Sequence, residues 1–410
     1  MDYIEMQSQS YDLIQPDSYG AIVIGAGYAG AVCARRLAEA CGVRVAVIER
    51  RDHIAGNAYD RVDDAGVLVH QYGPHIYHTT NDRVHEFLSR FTEWTDYQHR
   101  VLANIHGTLM PVPFNHRSLL LAFGQERGER LYQKLLAAFG EGRKVPIMEL
   151  RDRNDPELAE VADYVYENVF LHYTMKQWGK TPDQIDPSIT GRVPVLVGDD
   201  DRYFPAAPHQ GMPAEGYTRL FERLLDHDLV DVFLSADARG VVSVGDGRVL
   251  ACGRPYGGEV VWTGQLDELF GSDLGDLPYR TLRMEFETLP VDRFQPVATV
   301  NYTTSEDFTR ITEFKNMTGQ VLPGATTIMR EYSEAYVPGS GQTPYYAILE
   351  DASLDLYRRY RERVDPILNF HCVGRLAEYR YYDMDGVVAS ALELSDEIAV
   401  RRSGTEISSV

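Results

Sequence analysis

Residues 20–50 carry the feature that restricts the fold of this chain most. A short apolar strand, Ala21–Ile24, leads into residues 25–30, which read GAGYAG and have the form G-x-G-x-x-G. An amphipathic helix to about Cys41 follows, and then a second apolar strand, Arg44–Ile48. Strand, glycine turn, helix and strand in this order are typical of a dinucleotide-binding βαβ unit, which predicts an α/β fold with a Rossmann-like domain.

The residues of this unit suit the binding of a dinucleotide. We expect Gly25 to permit the tight turn, Gly27 to let backbone N–H groups approach a pyrophosphate, and Gly30 to let helix and strand pack closely. The first turn of the helix, at Ala29, brings partial positive charge to the phosphates. Glu49, which ends the second strand, can accept hydrogen bonds from an adenosine ribose. At this point FAD and NAD are both possible ligands.

The segment after the second strand favours FAD. Residues 50–60, RRDHIAGNAYD, resemble the continuation seen in glutathione-reductase-type flavoproteins, where a loop of the form R-x-x-x-x-G-G wraps around the cofactor. On that resemblance, Arg50, Gly56 and Asn57 are cofactor-binding residues. Ala55 stands in place of the first glycine of the pair, a departure that adds one methyl group.

Charge and hydropathy exclude several classes of partner. The 410 residues include 61 acidic and 40 basic side chains, for a formal net charge of -21, whereas nucleic acids and anionic membranes require a basic face. No stretch reaches the roughly 18 apolar residues of a membrane helix, and the polar, acidic start does not have the form of a signal peptide. The four cysteines show no C-x-x-C spacing, which favours reduced thiols in a cytoplasm.

Periodicity divides the chain into helical and strand-rich segments. Apolar residues three and four apart favour helices between residues 81 and 190, with paired strands from His99 to Pro113, and short alternating runs favour an antiparallel sheet farther on. The nucleotide-binding domain is therefore predicted to be discontinuous, with a helical insertion and an antiparallel sheet for the substrate. The predicted boundaries are 1–18 for a flexible extension, 19–80 with about 210–265 and 366–400 for the FAD-binding domain, 81–190 for the helical insertion, 191–209 for a mobile loop, 266–365 for the substrate domain and 401–410 for a tail.

Several short segments together resemble one family closely, the UDP-galactopyranose mutases of prokaryotic type. The resemblance extends from about Tyr19 to Ile398, and the order and spacing of the segments carry it. The segments are YGPHIYHT (72–79), HYTMKQWG (172–179), GRVPV (191–195), DDRYF (200–204), QGMPAEGYT (210–218), YRTL (279–282), TRITEFK (309–315), PYY (344–346) and VGRLAEYRYYDMD (373–385).

The resemblance implies residues for a nucleotide-sugar substrate. Arg192 and Arg310 match catalytic arginines that bind the diphosphate, and His78 matches a residue beside flavin and sugar. Guanidinium groups suit a diphosphate because they bind its oxygens in pairs. The other matched residues are mostly aromatic or polar, so that a uracil stacks on rings while sugar hydroxyls bond their edges. They are Val169, Phe170, Tyr173, Thr174, Trp178, Tyr203, Arg280, Asn301, Tyr346 and Tyr381.

The resemblance also implies a second cofactor segment near the C-terminus. A strand ends at Val373 and a helix starts near Asp383, whose N-terminal N–H groups we expect to stabilise the negative charge of a reduced flavin. His70, His75 and His78 lack the ligand spacing of a zinc site, so no metal is expected. The cofactor contacts implied here are His75, Ile76, Arg375, Tyr382, Asp383 and Met384.

In this family, N5 of reduced FAD attacks the anomeric carbon and displaces UDP, and the sugar ring recloses in its other form without net redox. The resemblance therefore implies an isomerase, a homodimer, that interconverts UDP-galactopyranose and UDP-galactofuranose for cell-surface polysaccharide. Departures after Arg192, at His99 and at Ala347 leave open another nucleotide sugar, such as UDP-N-acetylgalactosamine or a deoxysugar. An FAD-dependent amine oxidase of the same fold is a further alternative, which would not need Arg192 or Arg310.

Overall fold

Helices and strands alternate along the chain, which a computed structural model describes over residues 14–179, 181 and 194–404. The strands are β1 (Ala21–Ile24), β2 (Val45–Ile48), β3 (Asp60–Val62), β4 (Leu68–His70), β5 (Tyr77–Thr79), β6 (Val101–Ile105), β7 (Thr108–Val112), β8 (Lys144–Val145), β9 (Val195–Leu196), β10 (His209–Gly211), β11 (Val230–Phe233), β12 (Val242–Gly245), β13 (Arg248–Ala251), β14 (Arg254–Pro255), β15 (Glu259–Trp262), β16 (Tyr279–Leu289), β17 (Thr299–Tyr302), β18 (Arg310–Glu313), β19 (Thr326–Ala335), β20 (Tyr346–Ala347) and β21 (Phe370–Cys372). The helices are α1 (Tyr28–Cys41), α2 (Asp82–Leu88), α3 (His116–Phe123), α4 (Gln125–Phe139), α5 (Ile147–Arg151), α6 (Pro156–Val165), α7 (His172–Trp178), α8 (Tyr217–Leu225), α9 (Leu266–Leu269), α10 (Lys315–Thr318), α11 (Asp351–Val364) and α12 (Met384–Ser403).

The βαβ unit predicted at the start of the chain lies at the centre of a five-stranded parallel sheet, in the order β11-β2-β1-β15-β21. β1, β2 and β15 are buried along their whole length, as is typical of parallel strands that are covered on both faces. β11 pairs with β2, and β15 joins β1 to β21. The sheet therefore collects strands from widely separated parts of the sequence, so that residues after each strand meet at one edge.

Helices α1, α8 and α12 cover one face of this sheet, and α1 packs against both of the others. α1 starts after Gly27 and ends at Cys41, and the next residue, Gly42, adopts the left-handed conformation at φ 62° that glycine tolerates at a helix C-terminus. The other face is covered by α11 and the small antiparallel sheet β12-β13-β14. Because both faces are apolar and covered, the sheet gives the cleft at its edge a rigid base.

A second sheet has seven strands in the order β20-β16-β19-β18-β17-β6-β7. Its long pair, β16 and β19, is antiparallel over ten residue pairs, and most of β16 alternates between partly buried and exposed side chains, as one-sided strands do. The hairpin β6–β7 lies in the segment where paired strands were predicted. This hairpin is not part of the layer formed by the helices that flank it in the sequence, because β6 pairs in parallel with β17 and so extends the second sheet.

The helices α3 to α6 form a layer of their own beside this hairpin. Their apolar sides share one core with β6 and β7, and a π-helical turn, Tyr166–Leu171, connects α6 to α7. Arg192 lies outside the described residues, and so does the start of the predicted mobile loop; the mobility of that loop stays a prediction. None of the helices in the described part of the chain has the length and apolar character needed to cross a bilayer.

Candidate active site

A cleft of about 840 Å³ lies between the two sheets. One side is formed by residues at or just after the carboxyl ends of β1, β2, β11, β15 and β21, which is where ligands bind in open α/β sheets. The other side is formed by β16 to β20 of the second sheet together with α7. The cleft thus joins the glycine-rich turn to the segments in which a nucleotide-sugar site was predicted.

Glycines allow close backbone packing on the first side of the cleft. Gly25 has φ +97°, and a Cβ atom on Gly30 would lie 1.9 Å from the carbonyl oxygen of Gly25. Gly30 does not line the cleft; it lets α1 pack on β1, the task predicted for it. A Cβ atom on Gly56 would lie 2.9 Å from Cα of Gly27, so two backbone segments approach each other closely there. Ala55, beside them, adopts φ 71°, where its methyl group costs about 1 kcal/mol of backbone strain.

The carboxylate of Glu49 is fixed at the end of β2. It is buried and accepts hydrogen bonds from the backbone N–H groups of Ala26, at 2.8 Å, and Arg51, at 2.9 Å. Arg50, predicted as a cofactor contact, also lines the cleft and pairs with Glu268 at 3.1 Å. This end of the cleft therefore carries one held carboxylate and one paired guanidinium group.

Arg51 is a cleft residue that sequence reasoning missed. Its guanidinium lies 4.2 Å from the ring centroid of Tyr72, and Nη2 donates to Oδ1 of Asn57 at 2.9 Å. Its Nη1 is buried and has no hydrogen-bond partner among the described residues. A buried guanidinium nitrogen without a partner costs free energy, so the wall of the cleft offers an unused donor to an anion.

The opposite end of this side combines a neutral imidazole with the guanidinium group of Arg375. Nδ1 of His75 lies 2.9 Å from the carbonyl oxygen of Gly73, and burial lowers the pKa of His75 to about 3, so the ring is neutral at pH 7. Nη2 of Arg375 donates to the carbonyl oxygen of Tyr345 at 3.0 Å. Asp383 and Met384, at the N-terminus of α12, line the cleft next to them.

Arg310, at the start of β18, faces the cleft from the second sheet. Its Nε and Nη2 both donate to Oε2 of Glu331 on β19, at 2.9 and 2.7 Å. The Glu331 side chain is only 6% exposed, whereas that of Arg310 is 23% exposed. The pair is therefore held by the sheet while the guanidinium keeps access to the cleft, which suits binding of an anionic ligand.

Three stacked rings, those of His78, Phe204 and His99, form one wall of the cleft. The Phe204 ring lies 3.6 Å from that of His78 and 6.0 Å from that of His99, both nearly parallel to it. Nδ1 of His99 lies 2.9 Å from the hydroxyl of Tyr97, and burial lowers the pKa of His99 to about 3. Burial also lowers the pKa of His78, although Asp383 opposes the shift. These three rings are thus uncharged at pH 7 and line the cleft.

Helix α7 completes the second side with Tyr173, Thr174 and Trp178. The rings of Trp178 and Tyr346 lie 6.4 Å apart, so the aromatic lining extends from α7 to β20. Arg280 does not line the cleft: its Nε donates to the carbonyl oxygen of Gln177 at 3.1 Å and its Nη2 to Oγ of Ser333 at 3.0 Å.

The structure brings most of the predicted residues together. Besides Gly30 and Arg280, only Val169 and Tyr382 of those described do not line the cleft: Val169 packs in the core of the helical layer, and the hydroxyl of Tyr382 donates to Glu378. No three His, Cys, Asp or Glu side chains of the described residues are placed to hold a metal ion. The predicted residues that line it are Gly25, Gly27, Ala29, Glu49, Arg50, Gly56, Asn57, His75, Ile76, His78, Phe170, Tyr173, Thr174, Trp178, Tyr203, Asn301, Arg310, Tyr346, Arg375, Tyr381, Asp383 and Met384.

Sequence reasoning also missed Phe204, Glu331 and Tyr345, which line the cleft. Phe204 and Tyr345 stand directly beside predicted residues, in DDRYF and PYY, and adjacency was the available signal. Glu331 gave no such signal, because its partner Arg310 is 21 residues away in the sequence.

Comparisons with known proteins agree with this arrangement. A family model described as UDP-galactopyranose mutase matches residues 168–381, and a model of an NAD(P)-binding Rossmann-like domain matches residues 23–91, which confirms the predicted fold class. A crystal structure of reduced UDP-galactopyranose mutase shares the fold, with a TM-score of 0.68 and 15% identity over 96% of this chain and 98% of that one.

Two curated relatives are similar over nearly their whole length. UDP-galactopyranose mutase of Mycoplasma pneumoniae is 33% identical, over 93% of this chain and 96% of the relative. dTDP-fucopyranose mutase of Escherichia coli is 32% identical, over 91% of this chain and 96% of the relative. Because a family model matches more than half of the chain and such relatives cover most of it, the chain belongs to the UDP-galactopyranose mutase family, and the prediction of a nucleotide-sugar mutase, an isomerase, is confirmed.

Proposed function

We propose that this chain interconverts UDP-galactopyranose and UDP-galactofuranose in the cleft, with reduced FAD as its cofactor. The observation that carries the proposal is that the glycine turn and the Arg310–Glu331 pair line one continuous cleft. A dinucleotide cofactor on the first side and a nucleotide sugar on the second would then lie next to each other, which is what a reaction between them requires.

FAD fits the residues of the first side. The close approach of Gly27 and Gly56 leaves a backbone surface on which a Cβ atom would take the place of a pyrophosphate, and the unpartnered Nη1 of Arg51 offers a donor to it. Glu49 would hold the adenosine ribose. When bound, reduced FAD would supply nucleophilic chemistry at the anomeric carbon of the sugar. Arg375 and the N-terminus of α12 would stabilise its negative charge.

The residues of the second side would bind and orient the nucleotide sugar. Arg310, fixed by Glu331, would hold the diphosphate of UDP close enough for recapture, together with Arg192, which the structure does not describe. His78 would contact the sugar as a neutral imidazole. The remaining substrate contacts that we propose are the aromatic and polar residues Phe170, Tyr173, Thr174, Trp178, Tyr203, Asn301, Tyr346 and Tyr381; Val169 and Arg280 would act from behind them.

The test is conversion of UDP-galactofuranose under anaerobic conditions, followed by chromatography of the nucleotide sugars. We expect UDP-galactopyranose to form when the protein has been reduced with dithionite, and no conversion when the flavin is oxidised. An enzyme that consumes oxygen with an amine and leaves both sugars unchanged would contradict the proposal and favour the oxidase alternative.

A second candidate substrate is dTDP-fucopyranose, because a mutase for that sugar is almost as similar to this chain as the UDP-galactopyranose mutase of Mycoplasma pneumoniae. Both reactions need the same diphosphate and flavin contacts, and the two substrates differ in the nucleobase, at the 2′-position of the pentose and at C6 of the sugar. Competition between the two substrates at equal concentration decides between them. We expect a higher kcat/KM for UDP-galactopyranose, and the reverse order would assign the deoxysugar.

We further propose that the enzyme is a cytoplasmic homodimer whose product serves cell-surface polysaccharide. All four cysteines are free, which suits a reducing compartment. Light scattering of the purified protein would give twice the mass of the chain; a mass of one chain across micromolar concentrations would contradict the dimer.

A further inference from the structure

Lys176 of α7 does not line the cleft, yet it makes three hydrogen bonds to residues near it. Its half-buried ammonium group donates to the carbonyl oxygens of Tyr302 at 2.5 Å, Glu306 at 2.9 Å and Phe308 at 3.1 Å. An ammonium group has three donors, and each of them is used here. Lys176 lies in the HYTMKQWG segment, and no role was predicted for it from the sequence.

The carbonyl groups of Glu306 and Phe308 belong to the segment that connects β17 to β18, and that of Tyr302 belongs to the last residue of β17. Asn301 directly precedes this set and Arg310 follows it by two residues, and both line the cleft. On its own helix, α7, Lys176 stands between Thr174 and Trp178, which also line the cleft. One side chain therefore connects the helix that carries the aromatic lining to the strands that carry the Arg310 guanidinium.

The last turn of α7 is held from its other side as well. The carbonyl oxygen of Gln177 accepts hydrogen bonds from Nε of Arg280, at 3.1 Å, and from Oγ of Ser333, at 2.6 Å. A cation near the C-terminus of a helix is favourable because the exposed carbonyl groups carry partial negative charge. Lys176 and Arg280 thus hold the same short helix against the second sheet from two directions.

We propose that Lys176 is a positioning residue, which fixes α7 against the β17–β18 connection and so sets the affinity of the cleft for a nucleoside diphosphate. This inference rests on the proposed function, because it assumes that α7 and Arg310 bind the same nucleotide. Lysine suits the position because its compact ammonium group can point one donor at each carbonyl oxygen, whereas the planar fork of arginine cannot.

The experiment measures binding of UDP at equilibrium to the flavin-loaded protein, without turnover, by titration calorimetry. We expect Lys176→Met to weaken UDP binding about tenfold, since charge-assisted hydrogen bonds that hold the helix are lost. The UDP affinity of Lys176→Arg should lie between those of the wild type and Lys176→Met. Flavin content should stay near the wild-type value, because the flavin half of the cleft is untouched, whereas the melting temperature should fall with the lost hydrogen bonds. Lys144→Met is the matched control: this lysine is exposed on β8, and UDP affinity should not change.

Chemical rescue separates a missing ammonium group from a general disturbance. Methylammonium added to Lys176→Ala should restore part of the UDP affinity, because the three carbonyl oxygens remain in place, and it should not change Lys144→Ala. Equal UDP affinity of Lys176→Met and wild type would overturn the inference while leaving the proposed function intact. Weakened binding that comes with loss of flavin would also overturn it, since that marks a disturbance of the whole cleft. A wild-type protein that does not bind UDP would instead refute the proposed function.

Discussion

At the scale of single residues, the cleft depends on glycines that make room and on arginines that carry charge. Gly30 and Gly27 belong to the same turn, but the space around them differs: a Cβ atom on Gly30 would collide with backbone at 1.9 Å, whereas one on Gly27 would meet Gly56 at 3.6 Å, an ordinary contact. Replacement of Gly30 should therefore affect the stability of the fold, whereas replacement of Gly27 should affect cofactor binding.

We expect Gly27→Val to give a folded but colourless protein, because its side chain would occupy the pyrophosphate surface. Gly30→Ala should instead lower the free energy of unfolding by about 3 kcal/mol, since α1 must move away from β1. Flavin absorbance and urea unfolding measure the two effects. Gly257→Ala, at an exposed glycine with open space around it, should change neither. A fully yellow Gly27→Val protein would refute the assignment of the cofactor surface.

Arg310→Lys keeps the positive charge but loses the fork that pairs with Glu331 and a diphosphate. We expect kcat/KM to fall about 100-fold with flavin still bound, because a guanidinium that stabilises developing charge is removed. Arg283→Lys is the control: Arg283 lies on β16 of the same sheet and pairs with Glu334 at the surface, where ion pairs contribute little. Turnover of Arg310→Lys at the wild-type rate would contradict the proposed role.

At the scale of elements, the segment from β4 to β6 carries buried histidines that fold in their neutral form. Burial lowers the pKa of His70 to about 3, and Nδ1 of His70 accepts the backbone N–H of His75 at 3.1 Å. A neutral acceptor is needed there, so protonation of His70 is incompatible with the native packing. These strands should therefore make the fold sensitive to acid.

The direction of the pH dependence follows from the protonation of His70 in the folded and in the unfolded chain. An unfolded histidine has a pKa of about 6.5, so as the pH falls below that value the unfolded chain binds a proton that folded His70 does not, and stability is lost down to about pH 3. We expect His70→Gln to reduce the slope of the free energy of unfolding between pH 6 and 4 by about 1.4 kcal/mol per pH unit. Denaturant unfolding at several pH values measures it. The exposed His106→Asn should leave the slope unchanged, and an unchanged slope in His70→Gln would contradict the prediction.

Most elements were predictable where the signal is local. The helix after the glycine turn ends at Cys41 as expected, and α12 begins within one residue of the predicted start, because apolar periodicity and turn residues act over a few positions. The pairing of β6 with β17 could not be predicted, since nothing in either strand encodes a partner about 200 residues away. Single-residue packing was equally hidden: Arg280 matched the substrate pattern but faces Gln177.

At the scale of the whole molecule, the cleft is formed by both sheets, and each sheet is assembled from distant segments. A ligand that fills it would bind the folded chain and not the unfolded one. The net charge of -21 does not oppose anionic ligands, because Arg51, Arg310 and Arg375 face the cleft locally.

Removal of the flavin should therefore lower the stability of the whole fold. At a free FAD concentration of about 100 times its Kd, we expect the free energy of unfolding to rise by about 2.7 kcal/mol over the cofactor-free protein. Thermal melts of the stripped protein with added FAD measure this gain, and Gly27→Val should not show it. A melting temperature that is independent of FAD would contradict a cofactor site in this cleft.

The sequence by itself determined the βαβ unit, the family and many of the residues that line the cleft, because glycine spacing, strand and helix periodicity and short motifs are all local patterns. Only the tertiary structure decided how these residues are held. Glu331 fixes Arg310, Phe204 stacks between His78 and His99, and Lys176 joins α7 to three carbonyl groups. The physical reason is that each of these contacts joins residues from separate segments, whose distance is set by the packing of the two sheets and not by the sequence around either partner.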